Sequence, residues 1–105
     1  MAKLNEKLLL QVIKDSEMVG QKKIGRNTYA GVDECGTAYV KLHATRVVQV
    51  KSDGSVILNS GGWQTSTTKD RINQVLRALN KSEGVWQKKF EWFLGEREFE
   101  DGMKV

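Results

Sequence analysis

The chain has 105 residues and a mass of 11.9 kDa, enough for one small domain with one modest core. Its residues are 39% hydrophobic and 29% charged, a balance typical of globular rather than disordered chains. The single cysteine, Cys35, and the single histidine, His43, exclude an intrachain disulfide, a cysteine-rich zinc site and paired histidine ligands.

No apolar run approaches the roughly 20 residues of a membrane span. The first residues also lack the apolar core and the cleavage pattern of a signal peptide. We therefore expect a single domain over residues 1–105 that is cytoplasmic and binds no membrane, metal or cofactor.

The net charge is +4 and the isoelectric point is near 9.3, but the charges are unevenly distributed. Residues 18–51 carry six basic side chains against two acids, and residues 69–89 carry six more against two. Residues 90–105 reverse the sign, with five acids against two basic side chains. Central cations that share a face would form a patch that attracts phosphates, whereas the plainer interpretation is a solvated surface with scattered lysines.

The first predicted element is a helix over residues 3–18. Its apolar side chains recur at the spacing of one helical face. The residues of this stripe are Leu4, Leu8, Leu9, Val12 and Ile13.

Residues 21–60 have β character and predict three or four strands. The segment Asp33-Glu34-Cys35-Gly36 is a predicted turn. Residues 37–50 are long enough for two strands, with a break near Ala44-Thr45.

The pair Asp53-Gly54, flanked by apolar alternation, predicts a tight hairpin in which both central residues have positive φ. A two-residue loop at this place sets Val50 opposite Ile57. Because side chains alternate between the two faces of a sheet, this register decides which of them reach the core.

A polar loop over residues 59–68 surrounds Trp63 and leads into a second predicted helix over residues 68–81. Thr67, with Asp70 three residues later, fits a capping box at the start of that helix. The apolar residues at helical spacing are Ile72, Val75, Leu76 and Leu79.

Residues 85–105 fit a helix face and a strand face equally well, but their aromatic richness favours a hairpin. We place the turn near Gly95-Glu96 and expect the second strand to carry Phe99. The residues of the predicted strand face are Trp86, Phe90, Trp92 and Leu94. The whole pattern predicts an α+β fold: an antiparallel sheet of about four to six strands, with an N-terminal helix and a second helix after the Gly-Gly-Trp loop.

Catalysis has little support in the sequence, and we expect no enzyme. A nucleophile would need His43 as its base, and a strand would place Thr45 on the same face. No third group that orients the histidine is evident, so a structural hydrogen bond between the two is the simpler interpretation. Cys35 lies in a predicted turn without a basic neighbour that would activate its thiol.

The loop before the second helix has the physical elements of an anion site. Gly61 and Gly62 let backbone N–H groups approach a ligand, and the helix N-terminus favours negative charge. Asp70 weighs against an anion, because a capping carboxylate uses the same donors. The candidate phosphate-binding residues are Thr65, Thr67, Thr68, Lys69, Arg71 and Arg46. In the alternative interpretation the hydroxyls only cap the helix.

Trp63 has two interpretations. Tryptophan is mostly buried in folded proteins, which favours a core plug between the hairpin and the second helix. An exposed ring beside Arg46 and Arg71 would instead be a platform on which a nucleobase stacks.

A motif extends from His43 to Asn73. Its elements are His43-x-Thr45, Leu58-Asn59-Ser60-Gly61-Gly62-Trp63-x-Thr65-x-Thr67-Thr68 and Arg71-x-Asn73. This motif resembles a family of small bacteriophage proteins, with weaker similarity at Asn27-Thr28-Tyr29 and at Phe99-Glu100-Asp101-Gly102. The resemblance implies a phage or prophage gene whose product acts in the host cytoplasm, and it implies no particular chemistry.

Two functional hypotheses follow. The first is a non-catalytic protein that binds nucleic acid through a basic face and the loop, with His43, Thr45 and Asn73 as supporting residues. The second is an inhibitor or modulator that binds a host or defence protein. Its binding surface would be the acidic C-terminal segment, which contains Glu96, Glu98, Glu100 and Asp101.

Overall fold

The computed structural model describes residues 6–14 and 20–105. Within these ranges the protein has two helices and nine strands, and the predicted α+β class is confirmed. The elements in chain order are α1 (Glu6–Lys14), β1 (Gly20–Gly25), β2 (Thr28–Val32), β3 (Ala38–Leu42), β4 (Thr45–Val50), β5 (Val56–Leu58), α2 (Ser66–Ala78), β6 (Val85–Lys88), β7 (Glu91–Leu94), β8 (Arg97–Glu98) and β9 (Met103–Lys104).

Six strands form one antiparallel sheet in the order β1-β2-β3-β4-β5-β9. Ala30, Val40, Val48 and Leu58 pair in sequence across four of these strands, and all four are buried. The two helices pack against this face, which is therefore the core face of the sheet. The buried helix residues are Leu9 and Val12 of α1 and Ile72, Val75 and Leu76 of α2.

The predicted first helix is confirmed over Glu6–Lys14, and the rest of its predicted range lies outside the described residues. Leu9 and Val12 of its apolar stripe are buried in the core. Neither α1 nor α2 is long and apolar enough to span a lipid bilayer, among the residues that the structure describes.

Residues 20–58 form five strands, one more than the upper prediction. The predicted turn at Asp33-Glu34-Cys35-Gly36 is confirmed by a hydrogen bond of 3.0 Å from the backbone N–H of Gly36 to the carbonyl of Asp33. The predicted break in the next stretch is a turn at His43-Ala44. His43 has a φ of 54°, in the left-handed region, so it does not share a strand face with Thr45.

The β4–β5 hairpin has a longer loop than the sequence predicts. Lys51 donates its backbone N–H to the carbonyl of Ser55 at 2.8 Å, which leaves three residues in the loop instead of two. Of the predicted central pair only Gly54 has positive φ, at 89°. The Asp53 carboxylate accepts the Ser55 N–H at 2.8 Å, a local bond that favours this three-residue loop.

The additional loop residue shifts the pairing of the two strands. Val50 pairs with Val56, so the predicted pairing with Ile57 is wrong by one residue. Ile57 pairs with Gln49 instead and lies on the face opposite the core.

The remaining strands form a second sheet in the order β6-β7-β8, which packs on α2. Asn73 of α2 makes the link, because its side-chain amide donates to the Val85 carbonyl at 2.8 Å and accepts the Val85 N–H at 2.7 Å. Trp92 and Leu94 of β7 join this sheet to the common core, together with Phe99. Phe99 directly follows β8, so the prediction that the second strand carries it is wrong.

The predicted turn at Gly95-Glu96 is confirmed as the β7–β8 connection. A second turn, at Lys89-Phe90, escapes sequence analysis because it contains neither glycine nor asparagine. This turn reverses the chain, so Trp86 lies on the outer face and stacks on Phe93 with 4.7 Å between ring centroids. The predicted grouping of Trp86 and Phe90 with the buried Trp92 is therefore wrong.

Candidate functional site

The motif residues of the sequence meet at one end of the large sheet. This end is built from the β1–β2 turn, the β3–β4 turn, and the loop over residues 59–65, called the Gly-Gly-Trp loop below. The two turns are joined by the backbone N–H of His43, which donates to the carbonyl of Asn27 at 2.9 Å.

The Gly-Gly-Trp loop is held by polar contacts at its start. Ser60 is buried, and both its backbone N–H and its hydroxyl donate to the Asp101 carboxylate, at 2.7 and 2.8 Å. Gly61 lies so close to the β3–β4 hairpin that a Cβ built on it would be 2.6 Å from the hydroxyl oxygen of Thr45. A glycine is therefore required here both by this contact and by its φ of 62°.

Helix α2 begins earlier than the sequence predicts. Thr65 is the N-cap, and its hydroxyl accepts the backbone N–H of Thr68 at 3.2 Å. The predicted capping box of Thr67 and Asp70 is therefore wrong, because Thr65 already supplies the capping oxygen. Asp70 is therefore not the cap that was expected to occupy the N–H groups at the start of the helix, and it no longer weighs against an anion there.

Trp63 is exposed, not a core plug. Its relative exposure is 68%, which contradicts the interpretation favoured by the sequence. The ring nevertheless stands on an ordered backbone, because Trp63 donates its N–H to the Ser60 carbonyl at 3.0 Å and accepts the Thr65 N–H at 2.9 Å.

Trp63 stands at a pocket of about 420 Å³, called the loop pocket below. The β3–β4 hairpin contributes Leu42, His43, Ala44, Thr45 and Val47 to its walls. Ser60, Trp63 and Thr68 complete the lining. Buried Leu42 and Val47 make the floor largely apolar, while exposed His43 and Trp63 stand at the rim.

Arg71 does not lie on the surface where the sequence places it. Its side chain is only 2% exposed, and desolvation lowers the pKa of its guanidinium. The guanidinium donates to the Gln74 side chain at 3.2 Å and to the carbonyl of Arg26 at 3.4 Å. Arg71 thus ties α2 to the β1–β2 turn, and this structural contact replaces its predicted contact with a phosphate.

The other predicted site residues divide into two groups. Thr65 and Thr68 are used by the helix cap, where their hydroxyl oxygens lie 3.1 Å apart. Asn73 is used by the link to the second sheet. Exposed Thr67 and half-buried Lys69 remain beside the loop, in the first turn of α2.

A row of three cations and one tyrosine crosses the sheet face opposite the helices. Lys23 pairs with Tyr29, Tyr29 with Lys41, and Lys41 with Arg46, so one side chain from each of four strands lies in line. These four residues are called the basic row below. Their alignment follows only from the pairing register of the strands, which the sequence alone does not give.

The second row on this face is nearly uncharged. It follows six strands through the pairs of Gln21, Gly31, Tyr39, Gln49, Ile57 and Lys104. Lys104 is its one charged member, and it is also a cation.

Arg46 holds its place in the basic row through two neighbours. Its guanidinium stacks 4.1 Å from the centroid of the Tyr39 ring and donates to the Asp33 carboxylate at 2.8 Å. This hydrogen bond, together with the backbone N–H groups of Thr37 and Cys35, lowers the pKa of Asp33. The charge of Arg46 is thus partly neutralised, and Lys23 and Lys41 provide the surplus.

Comparison with known protein families identifies the family to which this chain belongs. A family model described as Kyanoviridae Gp96 protein matches residues 1–105. The chain belongs to this family. The predicted resemblance to a family of phage proteins is thereby confirmed. Comparison with curated proteins and with solved structures finds no match.

In this Kyanoviridae Gp96 family member, residues 6–14 and 20–105 contain no group of three histidine, cysteine, aspartate or glutamate side chains placed as metal ligands would be. His43 and Thr45 contribute an imidazole and a hydroxyl to the lining of the loop pocket, whereas the Ser60 hydroxyl already donates to Asp101. The imidazole and the Thr45 hydroxyl suit recognition of a polar edge on a ligand.

Proposed function

We propose that this phage protein binds nucleic acid without catalysing a reaction on it, and that phosphates bind along the basic row. The observation that carries the proposal is the alignment of Lys23, Lys41 and Arg46 across neighbouring strands, on the sheet face that the helices leave open. Lysine and arginine side chains that neutralise phosphates are the main source of nucleic-acid affinity.

The row is long enough to contact more than one phosphate of a nucleic-acid strand. Neighbouring strands lie about 4.8 Å apart, so the four residues span roughly 14 Å. Exposed Lys23 and half-buried Lys41 offer ammonium groups to phosphates along this line. Tyr29 stands between them and offers a ring and a hydroxyl, a combination that nucleic-acid-binding sheets use for bases and sugars.

The Gly-Gly-Trp loop supplies the second part of the proposed interface. Trp63 is an exposed ring on a fixed backbone, and stacking on tryptophan is tolerant of base identity. Thr67 and Lys69 extend the polar surface at the first turn of α2. His43 and Thr45 belong to the lining of the loop pocket.

A salt titration tests the basic row. Affinity for short DNA and RNA oligonucleotides is measured at several salt concentrations, for the unmodified protein and for the variant Lys23→Ala/Lys41→Ala. We expect the slope of log K against log salt to fall by roughly two ions in this variant. The matched control is Lys88→Ala/Lys89→Ala, which removes two exposed lysines from the second sheet.

The control variant is expected to keep the slope of the unmodified protein. An equal loss in both double variants would mean that only overall charge matters, and the basic row would not be the site. Absence of any salt-sensitive binding by the unmodified protein would exclude the proposed function altogether.

Binding of a host protein is the second candidate function. The β6–β7 hairpin favours it, because Phe90 at its tip is 91% exposed and Trp86 is 45% exposed. The acidic surface predicted for this role is smaller than the sequence suggests, since the Asp101 carboxylate is engaged by Ser60. A host protein that is retained by the Lys23→Ala/Lys41→Ala variant and lost by Phe90→Asp would support this candidate.

A further inference from the structure

We propose that the loop pocket holds one unpaired nucleobase, so that the ligand of the basic row is single-stranded nucleic acid. This inference rests on the proposed function and adds the class of substrate to it. Three features of the structure carry it: the chemistry of the pocket, the fixed exposure of Trp63, and the place where the pocket meets the basic row.

The loop pocket has the character of a site for a flat, partly polar ring. Its volume of about 420 Å³ lies within the range of small-molecule sites in proteins. Leu42 and Val47 form an apolar floor against which the faces of a base can pack. The hydroxyl of Thr45 and the imidazole of His43 provide polar groups for the edge of the base.

The exposure of Trp63 is built into the loop. A tryptophan side chain this exposed is unusual, since it leaves a large apolar surface in water. Local fraying does not explain it, because Ser60 ties the preceding backbone to Asp101, 41 residues away in the sequence. A ring held at the rim of an apolar pocket is suited to stack on the outer face of a base that has entered it.

The loop pocket and the basic row meet at the β3–β4 turn. The pair Lys41–Arg46 belongs to the row, and the next pair along the hairpin, Leu42–Thr45, lines the pocket. Successive pairs of a hairpin project to opposite faces, so the two sites adjoin around the end of the sheet. A backbone that follows the row can therefore turn one base around this end and into the pocket.

Only an unpaired base can make this contact. In a duplex each base is stacked between its neighbours and paired along its edge, and it must leave the stack to enter a protein pocket. Single strands present their bases without that cost. The geometry therefore favours a single strand over a duplex of equal length and charge.

The test compares three ligands: a single strand (as DNA and as RNA), its duplex, and an abasic strand of equal length. We expect the single strand to bind at least about tenfold more tightly than the duplex. Trp63→Ala should weaken single-strand binding by about five- to hundredfold and leave the abasic strand unaffected. Trp63→Phe, which keeps an aromatic face, should retain most of the affinity.

Phe90→Ala is the matched control, because it removes an exposed aromatic ring that does not line the loop pocket. It should leave all three affinities unchanged. Equal affinity for single strand and duplex, or equal effects of Trp63→Ala and Phe90→Ala, would overturn the base pocket. If the base pocket is wrong but the basic row is right, the protein still binds nucleic acid in a salt-sensitive way. Absence of salt-sensitive binding would overturn both proposals.

Discussion

Two parts of this protein expose an aromatic ring, and they hold it in different ways. Trp63 stands on the Gly-Gly-Trp loop, whose backbone is bonded to Asp101 in the C-terminal region and packed against Thr45. Phe90 stands at the tip of the β6–β7 hairpin, where Lys89 and Phe90 have φ values of 51° and 68°. Both values lie in the left-handed region of backbone conformation, which residues other than glycine rarely adopt.

The two rings differ in which contacts fix the backbone that carries them. The loop is fixed by contacts between residues distant in sequence, so the orientation of Trp63 depends on the whole domain being folded. The hairpin tip is fixed by its own strand pairing and carries backbone strain. A ring that is positioned in advance binds a ligand at lower entropic cost. This contrast favours the loop as a specific site and the tip as an adaptable one.

The largest expected effect concerns the bond between Asp101 and the loop. Asp101→Ala removes the acceptor of two hydrogen bonds and leaves polar groups of buried Ser60 without it. We expect the free energy of unfolding to fall by about 2–3 kcal/mol, measured by urea denaturation. Glu100→Ala, the exposed neighbour, is the control and should change stability little. Equal effects would show that the loop is not held from this side.

The close approach of the loop to the β3–β4 hairpin gives the next effect. Gly61→Ala should cost about 2 kcal/mol, because it combines positive φ with a clash against Thr45. Gly62→Ala has the same φ problem but open space around the new Cβ, so about 1 kcal/mol is expected. Their difference in urea midpoints measures the clash. Identical losses would mean that the loop moves away at no cost.

The hairpin tip should respond in the opposite direction. Phe90→Gly places the residue best suited to a φ of 68° at the strained position. We expect an increase in unfolding free energy of about 0.5–1 kcal/mol, seen as a higher thermal midpoint. A lower midpoint would show that the Phe90 ring, despite its exposure, contributes packing that outweighs the strain.

The smallest effect is a pH dependence at Asp33. Its folded pKa lies below the ordinary value of 3.8, chiefly because Arg46 donates a hydrogen bond to it. Its contribution to stability is therefore present above about pH 4 and is lost as the pH falls through the folded pKa. Urea denaturation of Asp33→Asn and of the unmodified protein between pH 6 and pH 2.5 isolates this contribution. If the two free energies of unfolding change in parallel with pH, the ion pair contributes nothing to the pH dependence of stability.

The elements that the sequence predicts well are those with a local cause. Helix α2 follows from the spacing of Ile72, Val75 and Leu76, which are buried as expected. The turn after Asp33 follows from its side chain, which accepts the backbone N–H groups of Cys35 and Thr37. Neighbours in the sequence decide such features, so their pattern is visible in a single chain.

The features that escape sequence analysis have distant causes. Buried Arg71 donates a hydrogen bond to the carbonyl of Arg26, 45 residues away. The loop that carries exposed Trp63 is bonded to Asp101, 41 residues away from Ser60. The basic row exists only through the pairing of four strands, and a register shift of one residue would turn its members to the opposite face. No local pattern records these contacts.

Strand β1 ends the large sheet and therefore presents an edge that another extended chain could pair with. Two features of β1 oppose such pairing. One is the exposed pair Lys22 and Lys23, and the other is the irregular register between Lys23 and Gly25. Lysines and bulges at an edge are a recognised protection against aggregation. Lys23 is therefore both a member of the basic row and one of the charges that oppose pairing of another strand with this edge.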